Sequence, residues 1–332
     1  MSVSAVIPTR AGDRPTLRSL LAALASQTHA PRRVIVSIDD ESAPAPPVDA
    51  LERAGVDVVI VRGPNAGPAA ARNRAIEHAA PGLVLFLNDD VVPEPTCVEQ
   101  HVAAHAQADA PSLIVGAAPW SFGTAPLRVI DRLIAETSMV FFYDRMSDGD
   151  PQRDWGYRHA WTLNLSCSAA LIEPFDHRLR YPMFDDLEWA FRATRRGVGA
   201  AVRFCPTARV IHEHRPSYTA SSLARRETMI GHQSWALREI NGACFRETMR
   251  TDDEPAFVAR ADRAEGADAF AAFAFLSEQP ADACDTAALF DRCGSWRHAA
   301  RAIGWLAAER GEAFEDAAAE TLGVFGASSL AA

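Results

Sequence analysis

The sequence lacks both the long apolar runs that cross membranes and any basic stripe. No apolar run approaches the ~20 residues that a membrane-spanning helix needs, and the opening residues, MSVSAVIPTRAG, have none of the features of a signal peptide. The formal net charge is -10, so nucleic acid is not expected as a partner. These absences predict a soluble protein, located in the cytoplasm or at the periphery of a membrane.

Cysteine is scarce, and its spacing forms no disulfide framework. The 6 cysteines include no CxxC pair, which predicts reduced thiols in a cytosolic protein. Cys97, His101 and His105 recur every four residues and would share a helix face, an arrangement open to zinc. Because neither a fourth ligand nor an HExxH motif accompanies them, we interpret these three residues as structural.

Glycine-rich phosphate-binding loops are also absent. Neither GxxxxGK[ST] nor GxGxxG follows any apolar run in the first hundred residues. A metal ion would therefore have to offset the charge of any bound phosphates.

Short apolar runs alternate with helical patterns over the first hundred residues. Four leucines at helical spacing predict an amphipathic helix near the amino terminus, at Leu17, Leu20, Leu21 and Leu24. The runs VSAVI, RVIVSI, VDVVIV and LVLFL predict strands. The alternation predicts a mostly parallel sheet flanked by helices, in which ligands bind beyond the carboxyl ends of the strands.

Two acidic pairs follow two of the predicted strands. Asp39-Asp40 follow RVIVSI, and the triplet Asn88-Asp89-Asp90 follows LVLFL. Either pair alone is typical of turns and helix caps. Two pairs at one sheet edge favour a site for Mg²⁺ or Mn²⁺, which binds one or two carboxylates and completes its shell with water and phosphate oxygens. The pattern therefore predicts a diphosphate-containing ligand.

Six segments together resemble the family 2 glycosyltransferases of the GT-A fold. AVIPTRAGDRPTLRSLLAALASQT, VIVSIDDES, PNAGPAAARNRAIEHA and VLFLNDDVVPEP are similar, in order and spacing, to the nucleotide-binding half of these enzymes. YPMFDDLEWAFRATRRG and CPTARVIHEHRPS resemble their acidic helix start and their closing strand with its histidine. The resemblance covers roughly residues 2 to 217 and implies a Rossmann-like α/β fold. It also implies metal-dependent, inverting transfer of a sugar from a nucleoside diphosphate to an acceptor hydroxyl.

The resemblance implies roles for individual residues. Asp186 matches the catalytic base, and Asp90 and His212 match ligands of Mn²⁺ or Mg²⁺. The residues that match nucleotide contacts are Pro8, Thr9, Asp39, Arg72, Asn88 and Asp89. Asn88 departs from the family pattern, in which many relatives have Asp, and its neutral amide lowers the charge of the site by one.

The pair Asp185-Asp186 also fits an ordinary helix start. Asp185 would cap the helix, and Glu188 would pair with Arg192 one turn later. Both roles can hold if Asp185 caps while Asp186 points into the cleft. The residues alone leave this open, and the resemblance favours the catalytic role for Asp186.

His212 and His214 are both candidates for the metal shell. The two-residue period of an unbroken strand puts both on one side, so periodicity does not choose between them. The choice of His212 rests on the family match and on Pro216, which removes a ladder donor just after His214.

The segment 116–171 is rich in aromatic residues, and we expect it to bind the acceptor. Its predicted acceptor contacts, together with one from the acidic helix start, are Trp161, Asn164 and Asp185. The expected donor is a UDP-, GDP- or dTDP-sugar. The expected acceptor is a sugar, a lipid-linked molecule or a small molecule, in polysaccharide, glycolipid or secondary-metabolite glycosylation.

We predict three parts along the chain. The GT-A domain covers 1-217, with a nucleotide-sugar-binding half (1-95) and an acceptor and catalytic half (96-217). A helical segment (218-250) is expected to pack on that domain, and TDDEP at 251–255 links it to an Ala-rich helical module (251-332) suited to homo-oligomer formation. The helical segment contains HQSW but lacks the QxxRW motif of processive synthases, which favours single transfer.

Three other functions are compared with this prediction. A sugar-1-phosphate nucleotidyltransferase begins with a Gly-rich loop containing Arg and Lys, which IPTRAGDRP does not supply. A haloacid-dehalogenase-type phosphatase needs a nucleophilic Asp at the place of Asn88, followed by Gly-Thr, and NDDVV has neither. A non-catalytic nucleotide-sugar-binding scaffold stays open, with Asn88 as its one indication.

Overall fold

A computed structural model describes residues 1–141, 143, 146, 150–196, 199–213 and 218–329, which form two units. The first unit contains Met1–Ser121 and Arg145–Glu213, and the second contains Phe122–Asp144 and His214–Ala332. The predicted boundary at 217 places 122–144 in the first domain, whereas the structure groups this stretch with the C-terminal helices. The reason is local contact, since helix α5 (Val129–Glu136) begins where Val129 N donates to Gln279 O at 2.9 Å.

The first unit is built on a seven-stranded sheet. Its strands lie in the order β3-β2-β1-β4-β8-β6-β9, and only β8 runs antiparallel to its neighbours. The mostly parallel sheet is therefore confirmed. The strands are β1 (Val3–Thr9), β2 (Arg33–Ile38), β3 (Asp57–Arg62), β4 (Leu83–Leu87), β6 (Ser112–Gly116), β8 (Asn164–Ser168) and β9 (Ala201–Cys205).

Helices connect these strands in the predicted alternation. Helix α1 buries all four leucines of its predicted apolar face. Helix α3 follows Gly67, whose φ of 96° suits glycine and whose Cβ, if present, would lie 1.9 Å from the carbonyl oxygen of Arg180. The helices are α1 (Pro15–Ala25), α2 (Asp49–Arg53), α3 (Pro68–Ile76), α4 (Cys97–Gln107) and α6 (Asp185–Ala193).

An aromatic cluster in the core fixes α6 against β4. The Phe86 ring of β4 meets the rings of Phe175 and Trp189 edge-on at 5.6 and 5.8 Å, and Phe175 stacks on Trp189 at 5.1 Å. Buried aromatic rings contribute large apolar areas and prefer these geometries. The cluster therefore fixes α6, whose first turn carries Asp185 and Asp186, against the strand that precedes Asn88.

The first unit also contains a three-stranded sheet, and its first strand follows β4 in the chain. It consists of β5 (Val91–Pro93), β10 (Val210–Glu213) and β7 (Trp120–Ser121), with β10 in the centre. Strand β10 is antiparallel to β5 and parallel to β7. The register pairs His212 with Val91, which places His212 next to the acidic triplet.

The second unit is helical, which confirms the predicted C-terminal helical region. Helix α7 packs closely on α12, where a Cβ on Gly304 would lie 2.0 Å from Thr228 O. No helix among the described residues is long and apolar enough to cross a membrane. Besides α5, its helices are α7 (Ala220–Ile240), α8 (Gly242–Met249), α9 (Ala256–Ala259), α10 (Arg263–Ser277), α11 (Thr286–Arg292), α12 (Gly294–Glu309) and α13 (Phe314–Ser329).

Candidate active site

Asp89 joins the ends of two parallel strands. Its Oδ2 accepts hydrogen bonds of 2.6 Å from Thr9 Oγ1, at the end of β1, and from Arg14 Nη1. Burial raises the pKa of Asp89, against the opposing effects of the Arg14 charge and the Thr9 hydrogen bond. Pro8 lies half-buried on β1, opposite Ser37 of β2. The structure thus brings three predicted nucleotide contacts to one sheet edge.

Arg14 belongs to this cluster, although the sequence patterns did not indicate it. It occupies the residue before α1 and forms an ion pair with Asp89 at 2.6 Å. The position of Arg14 in the sequence could have indicated this role. Arg14 follows β1, in the loop at the edge of a parallel sheet where ligands bind.

Asp39 is buried, and both of its carboxylate oxygens accept hydrogen bonds from the protein. Its Oδ2 accepts from the backbone N–H groups of Ala66 and Gly67 at 3.0 and 2.7 Å, and its Oδ1 accepts from Arg74 at 2.6 Å. The carboxylate therefore fixes the loop before α3. Contact between Asp39 and a nucleotide stays a prediction.

Asp90 and His212 face each other across the β5-β10 pair. Asp90 Oδ2 lies 3.3 Å from His212 Nε2, and the His212 ring stacks on Trp120 with centroids 3.9 Å apart. Burial raises the pKa of Asp90, but the hydrogen bond and charge of His212 and the charge of Arg14 outweigh it and lower the pKa below its usual value. The second candidate histidine, His214, lies outside the described residues.

The donor set at Asp90 fits a divalent metal completed by non-protein ligands. Asp90 Oδ1 is buried and has no hydrogen-bond partner among the described residues. Nowhere in the described chain do three or more His, Cys, Asp or Glu side chains form a group that could hold a metal. A carboxylate and an imidazole with water and phosphate oxygens would match the way Mg²⁺ and Mn²⁺ are held in substrate-phosphate sites.

Arg72 bridges the acidic triplet and the start of α6. Its Nη1 donates to Asp185 Oδ2 at 2.6 Å, and its Nη2 donates to Asn88 Oδ1 at 3.3 Å. The Arg72 residue is 5% exposed. This arrangement occupies the Nη groups of Arg72 with protein partners, and a direct nucleotide contact by Arg72 stays a prediction.

Asp185 does not have the capping role expected of it. Phe184 is the N-cap of α6 and no side chain caps the helix, so the Asp185 carboxylate is free to pair with Arg72. Asp185 is only 3% exposed, and an acceptor contact by Asp185 stays a prediction. The expected Glu188–Arg192 pair is present at 2.9 Å.

Asp186 is the carboxylate at this helix start that stays half-buried. The backbone N–H groups of Thr162 and Leu187 donate to its two oxygens at 3.3 and 2.8 Å. Burial and then the neighbouring charge of Asp185 raise the pKa of Asp186 to about 7, while Arg72 acts in the opposite direction. A carboxylate titrating near neutral pH is suited to general base catalysis.

Phe184 holds the helix start in an uncommon backbone conformation. Its φ is 67°, in the left-handed region that bulky residues rarely adopt. Such conformations persist where the surrounding structure holds them, often at functional sites. The geometry at Phe184 aims the two following carboxylates in different directions, one at Arg72 and the other at the Thr162 backbone.

The predicted acceptor contacts Asn164 and Trp161 have different environments. Asn164 is fully buried on β8 in the middle of the sheet, opposite Leu87, and its amide donates to Ala208 O at 2.9 Å. An acceptor contact by Asn164 stays a prediction. Trp161 is half-buried and precedes Thr162, which contacts Asp186. Its acceptor role stays a prediction.

Cys97, His101 and His105 lie on α4 and contact β8. His101 Nε2 lies 2.8 Å from Asn164 Oδ1, and its Nδ1 lies 2.8 Å from Ser166 Oγ. His105 Nε2 lies 2.9 Å from the same hydroxyl, and Cys97 Sγ lies 4.0 Å from Asn164 Oδ1. Burial lowers the pKa of both histidines to about 4. These neutral rings tie α4 to β8, which agrees with the structural interpretation.

Comparisons with known proteins agree with this architecture. Residues 4–163 match the family model described as glycosyl transferase family 2. The structure of S. aureus TarS 1-349 in complex with UDP shares 13% identity and has a TM-score of 0.50, covering 94% of this chain and 92% of that chain. The mannosyltransferase PcManGT from Pyrobaculum calidifontis, in complex with GDP-Man and Mn2+, shares 14% identity with a TM-score of 0.49, covering 99% of this chain and 80% of that chain. No curated protein matches the sequence significantly.

The matched region contains part of the site described above. It holds most of the parallel strands, Arg72 and the acidic triplet, whereas Asp186 and His212 lie outside it. The likeness to TarS extends the shared fold over most of the chain. The chain therefore contains a glycosyltransferase family 2 domain, in residues 4–163, on a GT-A fold.

Proposed function

We propose that this glycosyltransferase is metal-dependent and moves a sugar from a nucleoside diphosphate to an acceptor hydroxyl with inversion. The observation that carries the proposal is Asp186, a half-buried carboxylate whose pKa is raised to about 7. It is connected through Asp185 and Arg72 to Asn88, the first residue of the acidic triplet. A base and a diphosphate site are thus linked by consecutive contacts.

Asp90 and His212 are the residues that would hold the metal. The buried, unpartnered Oδ1 of Asp90 and the nearby His212 ring provide an oxygen and a nitrogen donor within the described part of the chain. A divalent ion bound there supplies charge stabilisation for the leaving diphosphate. Arg14, next to Asp89, adds positive charge at the same sheet edge. An imidazole donor beside oxygen donors favours Mn²⁺ over Mg²⁺.

Asp186 would take the proton of the acceptor hydroxyl. With a pKa of about 7, a substantial fraction of the carboxylate is ionised at neutral pH and still basic enough to accept a proton. The hydrogen bonds from Thr162 N and Leu187 N hold both oxygens in place. A single base opposite the leaving group produces one displacement, and therefore inversion at the anomeric carbon.

The donor and acceptor are to be found by screening. UDP is the first nucleotide to test, because the TarS structure that shares this fold holds UDP, followed by GDP- and dTDP-sugars. Thermal shift with Mn²⁺ is suitable because a ligand at 100 times its dissociation constant stabilises a protein by about 2.7 kcal/mol. We propose an acceptor hydroxyl on a polysaccharide, a glycolipid or a secondary metabolite.

Calorimetry with the preferred nucleoside diphosphate tests the metal. We expect binding in Mn²⁺ and at least about tenfold weaker binding in EDTA, and His212→Ala should weaken the metal-dependent part by about 10–100-fold. His214→Ala is the matched control, for which we expect no change. Equal affinity in Mn²⁺ and EDTA would contradict metal dependence, and the reverse order of the two histidine variants would move the ligand to His214.

The stereochemistry of the reaction, the cellular location of the protein and its oligomeric state have separate tests. NMR of the product with a donor of known anomeric configuration should show the opposite configuration, and retention would contradict a single displacement. We also propose a cytoplasmic location, at most peripheral to the membrane, and a homo-oligomer formed through the C-terminal helices. Cell fractionation and light scattering would measure these two properties.

A further inference from the structure

Arg72 contacts the acidic pair of α6 from inside the protein. Its guanidinium donates to Asp185 at 2.6 Å and lies 5.7 Å from the centre of the Phe175 ring. Its Nε is buried and has no hydrogen-bond partner within the described part of the chain. The cation is therefore largely withdrawn from solvent, and Asp185 is the carboxylate that offsets its charge.

Asn73, the residue after Arg72, holds the backbone of Phe175 by two hydrogen bonds. Asn73 Nδ2 donates to Phe175 O at 2.8 Å, and Phe175 N donates to Asn73 Oδ1 at 2.7 Å. Phe175 in turn stacks on Trp189 of α6. Because this uncharged clamp positions the segment, a change in the charge of Arg72 need not displace α6.

Two glutamates in or near α6 pair with arginines of α6 and of the turn that follows it. Glu188 pairs with Arg192 at 2.9 Å, and Glu173 pairs with Arg192 at 2.8 Å and also with Arg196. The turn packed against α6 carries Arg158 and His159, and His159 Nδ1 lies 2.8 Å from Trp155 O. Among the described residues, Arg72 is the one cation in ion-pair contact with Asp185 or Asp186.

We propose that Arg72 and Asp185 are positioning residues that set the protonation of Asp186, with the Asp185 charge opposing its ionisation and the Arg72 guanidinium offsetting that charge. The proposal rests on the proposed role of Asp186 as the base. Adjacent carboxylates hinder each other's ionisation, and a cation within a few ångströms favours it. Because one buried arginine faces two acids, its charge offsets only part of their mutual repulsion. Asp186 can then gain and lose a proton near neutral pH.

The two positioning residues should act with opposite signs. Arg72→Gln leaves two carboxylates without a cation, so the pKa of Asp186 should rise and the rising limb of the pH–rate profile should move to higher pH. Asp185→Asn removes the like charge and leaves Arg72, so the pKa of Asp186 should fall and the limb should move to lower pH. Arg72→Lys keeps the charge and should shift the limb least.

The decisive measurement is an NMR titration of the aspartate side-chain carboxyl carbons in the full chain. Asp186→Asn assigns the Asp186 signal, and no donor or acceptor is needed. We expect shifts of about one pKa unit or more, upward in Arg72→Gln and downward in Asp185→Asn. Shifts in the same direction, or no shift in folded variants, would overturn the proposal. If the Arg72–Asp185 contact were only structural, its loss would not shift the pKa of Asp186 in opposite directions in the two variants.

Two further variants keep the test decisive if Arg72→Gln does not fold. The double variant Arg72→Gln with Asp185→Asn removes both charges and should return the pKa of Asp186 between those of the single variants. Arg72→Lys should stay near the wild type. Failure of the proposed function is visible separately, since near-wild-type transfer by Asp186→Asn removes the base assignment whatever the titration shows.

Discussion

Each unit of the protein contains a carboxylate whose pKa is shifted from its usual value, and the two shifts have opposite directions. In the second unit Glu227 is surrounded by Arg301, Arg297 and Arg226, at 2.5, 3.4 and 3.6 Å. Burial raises the pKa of Glu227, but the three arginines outweigh it and lower the pKa to about 2. In the first unit the pKa of Asp186 is raised to about 7.

Burial raises the pKa of both carboxylates, so burial does not explain why the two shifts have opposite directions. Glu227 has three cations around it, whereas Asp186 shares one cation with Asp185. The balance of nearby charges therefore decides whether a desolvated acid is a permanent anion that holds helices together or a group that exchanges protons. The following predictions test that difference.

The largest expected effect is on catalysis at Asp186. Asp186→Asn keeps the size of the side chain but cannot accept the proton, so transfer should fall by about 10²–10⁴-fold while nucleotide binding is kept. Asp176→Asn is the control, because Asp176 pairs locally with Arg178 at 2.6 Å and should not alter the rate. Steady-state transfer and calorimetry measure the two properties. Unchanged transfer in Asp186→Asn would place the base elsewhere.

The next effect is on stability at Glu227. Glu227→Gln leaves three arginines without their anion and should lower the free energy of unfolding at pH 7 by about 3–5 kcal/mol. Because the folded pKa of Glu227 is depressed, its contribution is complete above the ordinary value near 4.5 and is lost as the pH falls towards about 2. Urea unfolding of both proteins at several pH values measures this difference.

The matched control for Glu227 is an exposed pair in the same unit. Glu312 accepts from Arg310 at 2.7 Å, and Glu312→Gln should change the free energy of unfolding by less than about 1 kcal/mol. An equal loss in both variants would show that the arginine cluster contributes no more than a surface pair.

A smaller, opposite pH effect is expected at Asp186. Its folded pKa is raised, so its stabilising contribution is present below the ordinary value of 3.8 and is lost as the pH rises through about 7. Asp186→Asn should therefore gain stability relative to the wild type between about pH 5 and pH 8, on the order of 1–2 kcal/mol. Thermal melts of both proteins at the two pH values measure this gain in stability. A stability difference between variant and wild type that does not change with pH would contradict the raised pKa of Asp186.

The smallest effect concerns Arg250, which together with Phe184 makes up the non-glycine residues with a left-handed backbone in the described part of the chain. Arg250, after α8, has φ of 58°, and Phe184, before α6, has φ of 67°. Arg250→Gly should stabilise the protein by roughly 0.5–1 kcal/mol, because glycine adopts this conformation without steric cost. It should leave transfer unchanged. A lower melting temperature would show that the Arg250 side chain contributes more than its backbone costs.

The sequence predicted the local elements of the first unit correctly for a clear reason. The apolar period of two or 3.6 is set by backbone geometry, so the strands and the leucine face of α1 could be identified without tertiary information. The motif order likewise predicted the family, and the two acidic segments were predicted at one sheet edge because parallel strands end on the same side.

Pairings between distant residues were decided by the tertiary structure alone. Arg72 and Asp185 are 113 positions apart and Glu227 and Arg301 are 74 apart, and no local pattern encodes which charges meet. Asn164 was expected at an acceptor and is buried because β8 inserts between β4 and β6. The sequence by itself determined which residues can carry charge and which elements present them. Only packing decided the number of opposite charges around each buried acid, and that number sets its pKa because Coulomb interactions depend on distance and on exclusion of water.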